Sequence, residues 1–73
     1  MTLRIRLRYH GPRAAQLPGS LDVPPGIRVR EVLGRLGLPA EGHVCWWKGS
    51  PCPLDEILDS EGELEIVSSF SGG

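Results

Sequence analysis

The sequence predicts a domain of the α+β class, in which a mixed sheet of four to five strands carries one helix packed across one face. Three observations support this prediction. Apolar and charged residues alternate in segments at both ends of the chain, as they do in strands with one buried face. An apolar stripe with helical spacing lies between these segments. The Gly and Pro residues gather at the boundaries of the segments, where turns are expected.

The first predicted strand has one apolar face and one charged face. Its apolar residues alternate with arginines, so the two kinds of side chain point to opposite sides of an extended segment. The apolar face comprises Leu3, Ile5, Leu7 and Tyr9, and the charged face comprises Arg4, Arg6 and Arg8. A long loop over residues 10–19 separates this strand from a short second strand over Ser20–Val23.

A single amphipathic helix is predicted after the turn at residues 24–26. Its apolar stripe follows the spacing i, i+3, i+4 and i+7 and consists of Val29, Val32, Leu33 and Leu36. Gly37 and Pro39 end the helix. Arg28 occupies its start, where Ser, Thr or Asp normally accepts hydrogen bonds from the first free amides. The sequence therefore predicts a poorly capped helix that Arg28→Thr would stabilise by about 0.5–1 kcal/mol.

Two further strands are predicted in the second half of the chain. The β-forming residues 43–48 predict a third strand, closed by a turn over residues 49–51. An acidic, turn-forming cluster precedes a last strand over residues 63–68, in which Glu63 and Glu65 alternate with apolar residues. If the first and last strands are parallel neighbours, these carboxylates lie near the arginine row and help to fix the register. We interpret both charge rows as structural.

Length and charge restrict the possible functions. The chain has 73 residues, with 8 Lys+Arg against 9 Asp+Glu for a net charge of -1, so one domain over residues 1–73 is expected. A chain of this length buries only about 60% of its unfolded surface, and it therefore cannot enclose a large cofactor or a deep catalytic cavity. The balanced charge argues against a nucleic-acid partner, which would require a basic surface.

Membrane insertion and secretion are not indicated either. No segment approaches the roughly 20 apolar residues of a membrane span, and the first residues lack the apolar core of a signal peptide. We therefore expect a cytoplasmic protein. Its two cysteines, Cys45 and Cys52, are expected to be reduced there, although a disulfide across the predicted turn is sterically feasible. With His43 they resemble a set of metal ligands, but there is no Cys-x-x-Cys pair and no metal site is predicted.

The end of the sequence is its most distinctive part. Directly after the last predicted strand it reads Ser68-Ser69-Phe70-Ser71-Gly72-Gly73. Gly72 and Gly73 have no Cβ and can pass as bare backbone through a narrow channel of a partner protein. Fully extended, residues 69–73 reach about 15 Å at about 3.3 Å per residue. We expect a flexible tail over about residues 69–73 that presents the Gly73 carboxylate.

Chemistry at this carboxylate would need a separate activating enzyme. A carboxylate is a poor electrophile, and it is most simply activated as an acyl-adenylate. The sequence contains no G-x-x-x-x-G-K-[ST] phosphate loop, and Lys48-Gly49-Ser50 has the wrong order to replace one. We therefore expect the chain to bind no cofactor of its own and not to be an enzyme.

The whole pattern resembles the ubiquitin-like sulfur-carrier proteins, which include the thiamine-pathway sulfur carrier and the small subunit of molybdopterin synthase. The most specific parts are Gly-Ile-Arg-Val-Arg-Glu-Val-Leu-Gly-Arg-Leu-Gly-Leu-Pro over residues 26–39 and the ending over residues 64–73, where Leu-Glu-Ile-Val precedes Gly-Gly. The resemblance covers nearly the whole chain and implies a β-grasp fold. Arg28 departs from the family's usual Thr, and the acidic turn reads Asp-Ser-Glu-Gly where Asp-Gly-Asp is commoner.

The resemblance also implies the chemistry of a sulfur carrier. A ubiquitin-activating-type enzyme would adenylate Gly73, with Gly72 beside it, using ATP and Mg²⁺. A sulfurtransferase or cysteine desulfurase would supply sulfur to form a thiocarboxylate, and a sulfur-accepting synthase would use it to make thiamine thiazole, molybdopterin or a related product. Two alternatives stay open: a ubiquitin-like modifier conjugated through Gly73 to a lysine, and a plain protein-interaction module.

Partner contacts are predicted close to the tail. Strand alternation places Val67 on the open face of the sheet if the Leu and Ile residues of the last strand face the helix. Resemblance to the ubiquitin-like pattern places Trp46 beside it, where an exposed Trp would anchor a partner. Phe70 and Ser71 extend this partner-binding set into the tail. The alternative for Trp46 and Trp47 is that both belong to the core or pack under arginine side chains.

Overall fold

The computed structural model describes residues 1–11 and 14–69, and within them it contains seven strands, one α-helix and one 3-10 turn. The strands are β1 (Leu3–His10), β2 (Ser20–Val23), β3 (Ile27–Arg28), β4 (His43–Trp47), β5 (Ser50–Cys52), β6 (Ile57–Leu58) and β7 (Gly62–Ser68). The helix α1 spans Val29–Arg35, and the 3-10 turn spans Ala14–Gln16.

Five of the strands form one mixed sheet in the order β2-β1-β7-β4-β5. The first and last strands, β1 and β7, are parallel neighbours, and the other pairs in this sheet are antiparallel. The short strands β3 and β6 pair with each other in a separate sheet. The predicted α+β architecture is confirmed, and the first and last strands are the parallel neighbours that this layout allows.

The core lies between α1 and one face of the five-stranded sheet. All four residues of the predicted helical stripe are buried, and Val29, Val32 and Leu33 are 0% exposed. The residues that the five-stranded sheet contributes to the same core are Leu3, Ile5, Val23, Cys45, Leu64 and Ile66. They recur at every second position in the long strands, as a sheet with one buried face requires. Among the described residues, no helix is long and apolar enough to cross a membrane.

The other face of the sheet shows the predicted pairing of opposite charges. In the parallel register Arg6 lies beside Glu63, and Arg8 lies beside Glu65. The Arg8 guanidinium lies 3.9 Å from the Glu63 carboxylate, and His10 Nε2 is within hydrogen-bond distance of the Glu65 carboxylate at 2.7 Å. Because the Arg8 and Glu63 side chains are 63% and 40% exposed, this ion pair contributes at most about 1 kcal/mol, and its main effect is to favour this register.

The turn between β4 and β5 differs from the prediction. It consists of Lys48 and Gly49, whose φ angles are 53° and 84°, and Trp47 pairs with Ser50 across it. Positive φ at both central residues is the geometry of a type I′ turn, whose twist matches that of the flanking strands. The prediction that Ser50 and Pro51 belong to the turn is therefore wrong, because they begin the edge strand β5.

The start of α1 has more hydrogen bonds than its sequence predicts. As expected, the Arg28 side chain makes no cap, and the Arg28 amide donates to the Glu31 carboxylate at 3.0 Å. The first two helical amides are not free, however. Those of Val29 and Arg30 donate to backbone carbonyls of the 54–56 segment at 3.0 and 2.8 Å. A segment distant in sequence thus supplies acceptors that the local pattern does not reveal.

Arg28→Thr is consequently expected to change the free energy of unfolding by less than about 0.5 kcal/mol. The substitution adds one cap acceptor for the Glu31 amide, but it removes the hydrogen bond that the Arg28 guanidinium donates to the Asp55 carbonyl at 3.1 Å. Urea denaturation of the wild type, Arg28→Ala and Arg28→Thr gives their free energies of unfolding. Arg28→Ala reports the loss of the hydrogen bond to Asp55 alone, and Arg28→Thr reports that loss together with the added cap. A gain of about 1 kcal/mol or more for Arg28→Thr would show that the 54–56 segment leaves this helix end unsatisfied.

Candidate functional site

The predicted reactive end of the chain lies outside the described residues. The predicted site residues beyond the last described position are Phe70, Ser71, Gly72 and Gly73. The last described residue is Ser69, whose amide donates to the Gly42 carbonyl at 2.6 Å. One residue earlier, Ser68 at the end of β7 pairs with His43 at the start of β4. The tail therefore leaves the sheet beside the first residue of β4.

An apolar surface lies next to this exit, on the open face of the sheet. Val67 lies opposite Val44 in the register, and Trp46 lies opposite Pro51. Cys45, between Val44 and Trp46, is 3% exposed and belongs to the core, so strand alternation directs its neighbours to the opposite face. Val44 is 45% exposed, whereas Trp46 and Val67 are half-buried. We define Val44, Trp46, Pro51 and Val67 as the open-face patch.

The structure places Trp46 and Val67 on the open face, in agreement with the alternation of the sequence. The two residues are diagonal neighbours, because Trp46 pairs directly with Glu65 and Val67 pairs directly with Val44. Trp47 lies on the other face and packs partly against the core. The two Trp residues thus differ in environment, and a role of Trp46 in partner binding stays a prediction.

Two members of the open-face patch were not among the predicted site residues. Val44 has the same strand parity as Trp46, so alternation alone could have identified it. Pro51 could not be identified in this way. Its position opposite Trp46 follows from the two-residue turn at Lys48 and Gly49, which the sequence pattern did not predict.

Charged side chains border the patch on the side of β1. Glu65 is the direct neighbour of Trp46, and its carboxylate is bonded to His10 Nε2. Arg8 lies beside Glu65 on β1. The open face therefore changes from charged to apolar across β7, so a partner on the patch would meet both signs of charge at this border.

The patch continues into an apolar groove at the outer edge of the sheet, near the end of β5. Its lining consists of His43, Val44, Cys45, Trp46, Pro51, Cys52, Pro53 and Leu54. Both cysteines in it are free thiols. Burial, and secondarily the nearby Cys52, raise the pKa of Cys45 to about 12. Burial, and secondarily Glu56, also raise the pKa of Cys52. Neither thiol is therefore poised as a catalytic nucleophile at neutral pH.

His43 has a structural role beside this groove. It is 7% exposed, and its Nδ1 lies 2.7 Å from the Pro39 carbonyl, to which it donates. Its Nε2 shares a second hydrogen bond with the Tyr9 hydroxyl at 3.3 Å. Within residues 1–11 and 14–69, no group of three or more His, Cys, Asp or Glu side chains is arranged to hold a metal ion.

The fold with these features can be compared with known proteins. A ubiquitin from Caldiarchaeum subterraneum matches it with a TM-score of 0.67 over 100% of both chains, at 18% sequence identity. The chain has a ubiquitin-like fold. This result confirms the β-grasp prediction, and at this level of identity it concerns the fold alone. The sequence matches no protein-family model and no curated protein.

The last strand of this fold, β7, ends at Ser68, and Val67 of the open-face patch is the residue directly before that end.

Proposed function

We propose that this protein is a sulfur carrier whose Gly73 carboxylate is converted to a thiocarboxylate. One observation carries the proposal: the last strand of a ubiquitin-like fold, β7, ends at Ser68 and is followed by five residues that finish in Gly72-Gly73. The resemblance over residues 26–39 and 64–73 supports the sulfur-carrier type within this fold.

The proposed chemistry activates the carboxylate before sulfur is added. A separate adenylating enzyme joins the Gly73 carboxylate to AMP, consuming ATP with Mg²⁺ and releasing pyrophosphate. A persulfide on a sulfurtransferase or cysteine desulfurase attacks the acyl carbon and displaces AMP. A second thiol of the donor then cleaves the S–S bond, which leaves the thiocarboxylate on Gly73 and a disulfide on the donor. The new sulfur is a better nucleophile than the carboxylate oxygen, so a sulfur-accepting synthase can use it.

In this scheme the chain presents its end and contributes no catalytic side chain. The base of the tail is held firmly, because β7 pairs with β1 on one side and β4 on the other, and its Leu64 and Ile66 are 0% exposed. From Ser69 onward an extended tail reaches about 15 Å. The two terminal glycines add no side-chain width, which suits a narrow channel leading to an ATP site.

The open-face patch supports a docking site for the adenylating enzyme. Trp46 offers a large half-buried ring, and aromatic residues of this kind often anchor protein interfaces. Val67 joins it on the strand that leads into the tail. The proposed contact set is Trp46, Val67, Phe70 and Ser71, and we add Val44 and Pro51 to it because they belong to the open-face patch.

The proposal is tested with the full chain, ATP, Mg²⁺, a persulfide donor and the adenylating enzymes of the same cell. We expect intact-mass analysis to show one oxygen replaced by sulfur, and fragmentation to locate the change on Gly73. A stable conjugate on a target lysine, without a thiocarboxylate intermediate, would identify a modifier instead. An unchanged mass with every such enzyme would overturn the proposal.

Phe70→Ala is expected to weaken binding to the adenylating enzyme by about 1 kcal/mol or more while leaving the melting temperature almost unchanged. The proposal is that the Phe70 ring makes its apolar contacts with the adenylating enzyme in the complex. Calorimetry on the purified pair measures the affinity. Ile57→Ala, at a residue 48% exposed on β6, is the control for removing an apolar surface group outside the patch. A lower melting temperature with full affinity would place Phe70 in the core.

A further inference from the structure

The two cysteines of the chain face each other across the β4–β5 hairpin. Cys45 is the register partner of Cys52, two pairs away from the Trp47–Ser50 pair that closes the turn. Directly opposite residues of antiparallel strands have Cα atoms about 5.5 Å apart in hydrogen-bonded pairs and about 4.5 Å apart in the other pairs. Both values fall within the range of about 4.4–6.8 Å that a disulfide spans.

Both side chains also point to the same side of the sheet. Cys45 is a member of the core, and Cys52 packs against that core while remaining half-buried at its rim. The sulfur atoms are therefore directed toward the same space. Cys52 is the more accessible of the two, because it lies on the edge strand and lines the groove.

The edge position of β5 allows the small adjustment that bond formation needs. β5 pairs only with β4 among the described strands, so a shift of Cys52 disturbs one ladder and not two. Pro51, next to Cys52, has no N–H and cannot donate to a ladder, which is characteristic of edge strands. The turn residues Lys48 and Gly49 keep the two strands in register during this adjustment.

We propose that Cys45 and Cys52 form a reversible disulfide that closes the β4–β5 hairpin when the protein meets a low-molecular-weight disulfide such as oxidised glutathione. The Cys52 thiolate attacks one glutathione sulfur, forming a mixed disulfide and releasing one glutathione. The Cys45 thiol then loses its proton and attacks the Cys52 sulfur, releasing the second glutathione. Two protein thiols are oxidised, and one glutathione disulfide is reduced to two thiols.

The order of these steps follows from accessibility and acidity. Cys52 reacts first because it is half-buried, whereas Cys45 is 3% exposed and burial raises its pKa to about 12. The second step is intramolecular and needs no further access to solvent. Once formed, the bond joins the strands that carry Trp46 and Pro51, so it would limit separation of this side of the open-face patch.

The test uses the full reduced chain, equilibrated in oxidised and reduced glutathione, blocked with an alkylating reagent and analysed by intact mass. We expect the loss of two hydrogens from the monomer, with no glutathione retained. Trypsin cuts after Lys48, so the disulfide should link the peptides 36–48 and 49–73, which separate on reduction. These readouts do not depend on the proposed sulfur-carrier function.

Single-cysteine variants distinguish the two steps. Cys45→Ser should accumulate one glutathione on Cys52, and Cys52→Ser should stay largely unmodified because its remaining thiol is buried. The fraction oxidised at a fixed glutathione ratio should be higher in native buffer than in urea, because the native register places the partners together. A lower native fraction, a stable glutathione adduct on the wild type, or only intermolecular dimers would overturn the proposal.

Discussion

Replacing Ile66 by alanine is expected to lower the free energy of unfolding by about 2–5 kcal/mol. Ile66 is 0% exposed, and in the register it lies between Tyr9 of β1 and Cys45 of β4. The substitution removes buried apolar groups and leaves a cavity. Because β7 is paired on both sides, the surrounding strands can relax only partly into that space.

The expected loss is comparable with the whole stability of a domain of this size. A core in a chain of fewer than about 80 residues rarely supplies more than about 3–5 kcal/mol. Urea denaturation followed by tryptophan fluorescence measures the change. Ile57→Ala is the matched control, because the same substitution at a residue 48% exposed should cost less than about 1 kcal/mol. Equal losses for the two variants would show that the core is not centred on β7.

Much of the sheet was predictable because its long strands each have one buried and one open face. The alternation from Leu3 to Tyr9 located β1, which extends one residue further to His10. The second strand occupies the predicted residues Ser20–Val23. The α+β layout allowed β1 and β7 to be parallel neighbours, and that pairing was expected to bring the two charge rows together. Arg8 lies beside Glu65 as expected. These patterns are local or repeat along one strand, so they can be recognised in a single sequence.

Other features depend on contacts between distant segments and could not be predicted. Ile57 and Leu58 form a strand only because they pair with β3, and two residues show no periodicity. The amides at the start of α1 are bonded by the 54–56 segment, which no helix-capping pattern reveals. At the β4–β5 hairpin, Gly, Ser and Pro are all typical of turns, and the strand register decides that Ser50 and Pro51 lie in β5.

The candidate site also combines features that could be predicted from the sequence with features that depend on the strand register. Strand parity predicted that Trp46 and Trp47 point to opposite faces, and the family resemblance, not parity, placed Trp46 beside Val67. Their diagonal relation is a property of the β4–β7 register. Pro51 enters the patch through the hairpin register. The role of Gly73 is a chemical prediction about a carboxylate outside the described residues, and a functional experiment must decide it.

Deletion of Gly73 is expected to abolish thiocarboxylate formation. Removing one residue moves the reacting carboxylate back by about 3.3 Å in an extended tail. A misplacement of about 1 Å can already reduce a rate about 100-fold, so the shortened end should not react at the ATP site of the activating enzyme. Gly73→Ala keeps the length, but it adds a Cβ and restricts φ. We therefore expect strong slowing for Gly73→Ala and complete loss for the deletion.

The two variants test two different requirements. The deletion changes the position of the carboxylate, whereas Gly73→Ala keeps the tail length and adds a side chain. Because β7 ends at Ser68, both should keep the wild-type urea midpoint, so a lost reaction cannot be attributed to unfolding. Time courses of intact mass with one adenylating enzyme give the rates. A deletion that reacts at the wild-type rate would show that the Gly73 carboxylate is not the reacting group. Wild-type activity of Gly73→Ala would show that the channel tolerates a side chain, so that tail length alone determines reactivity.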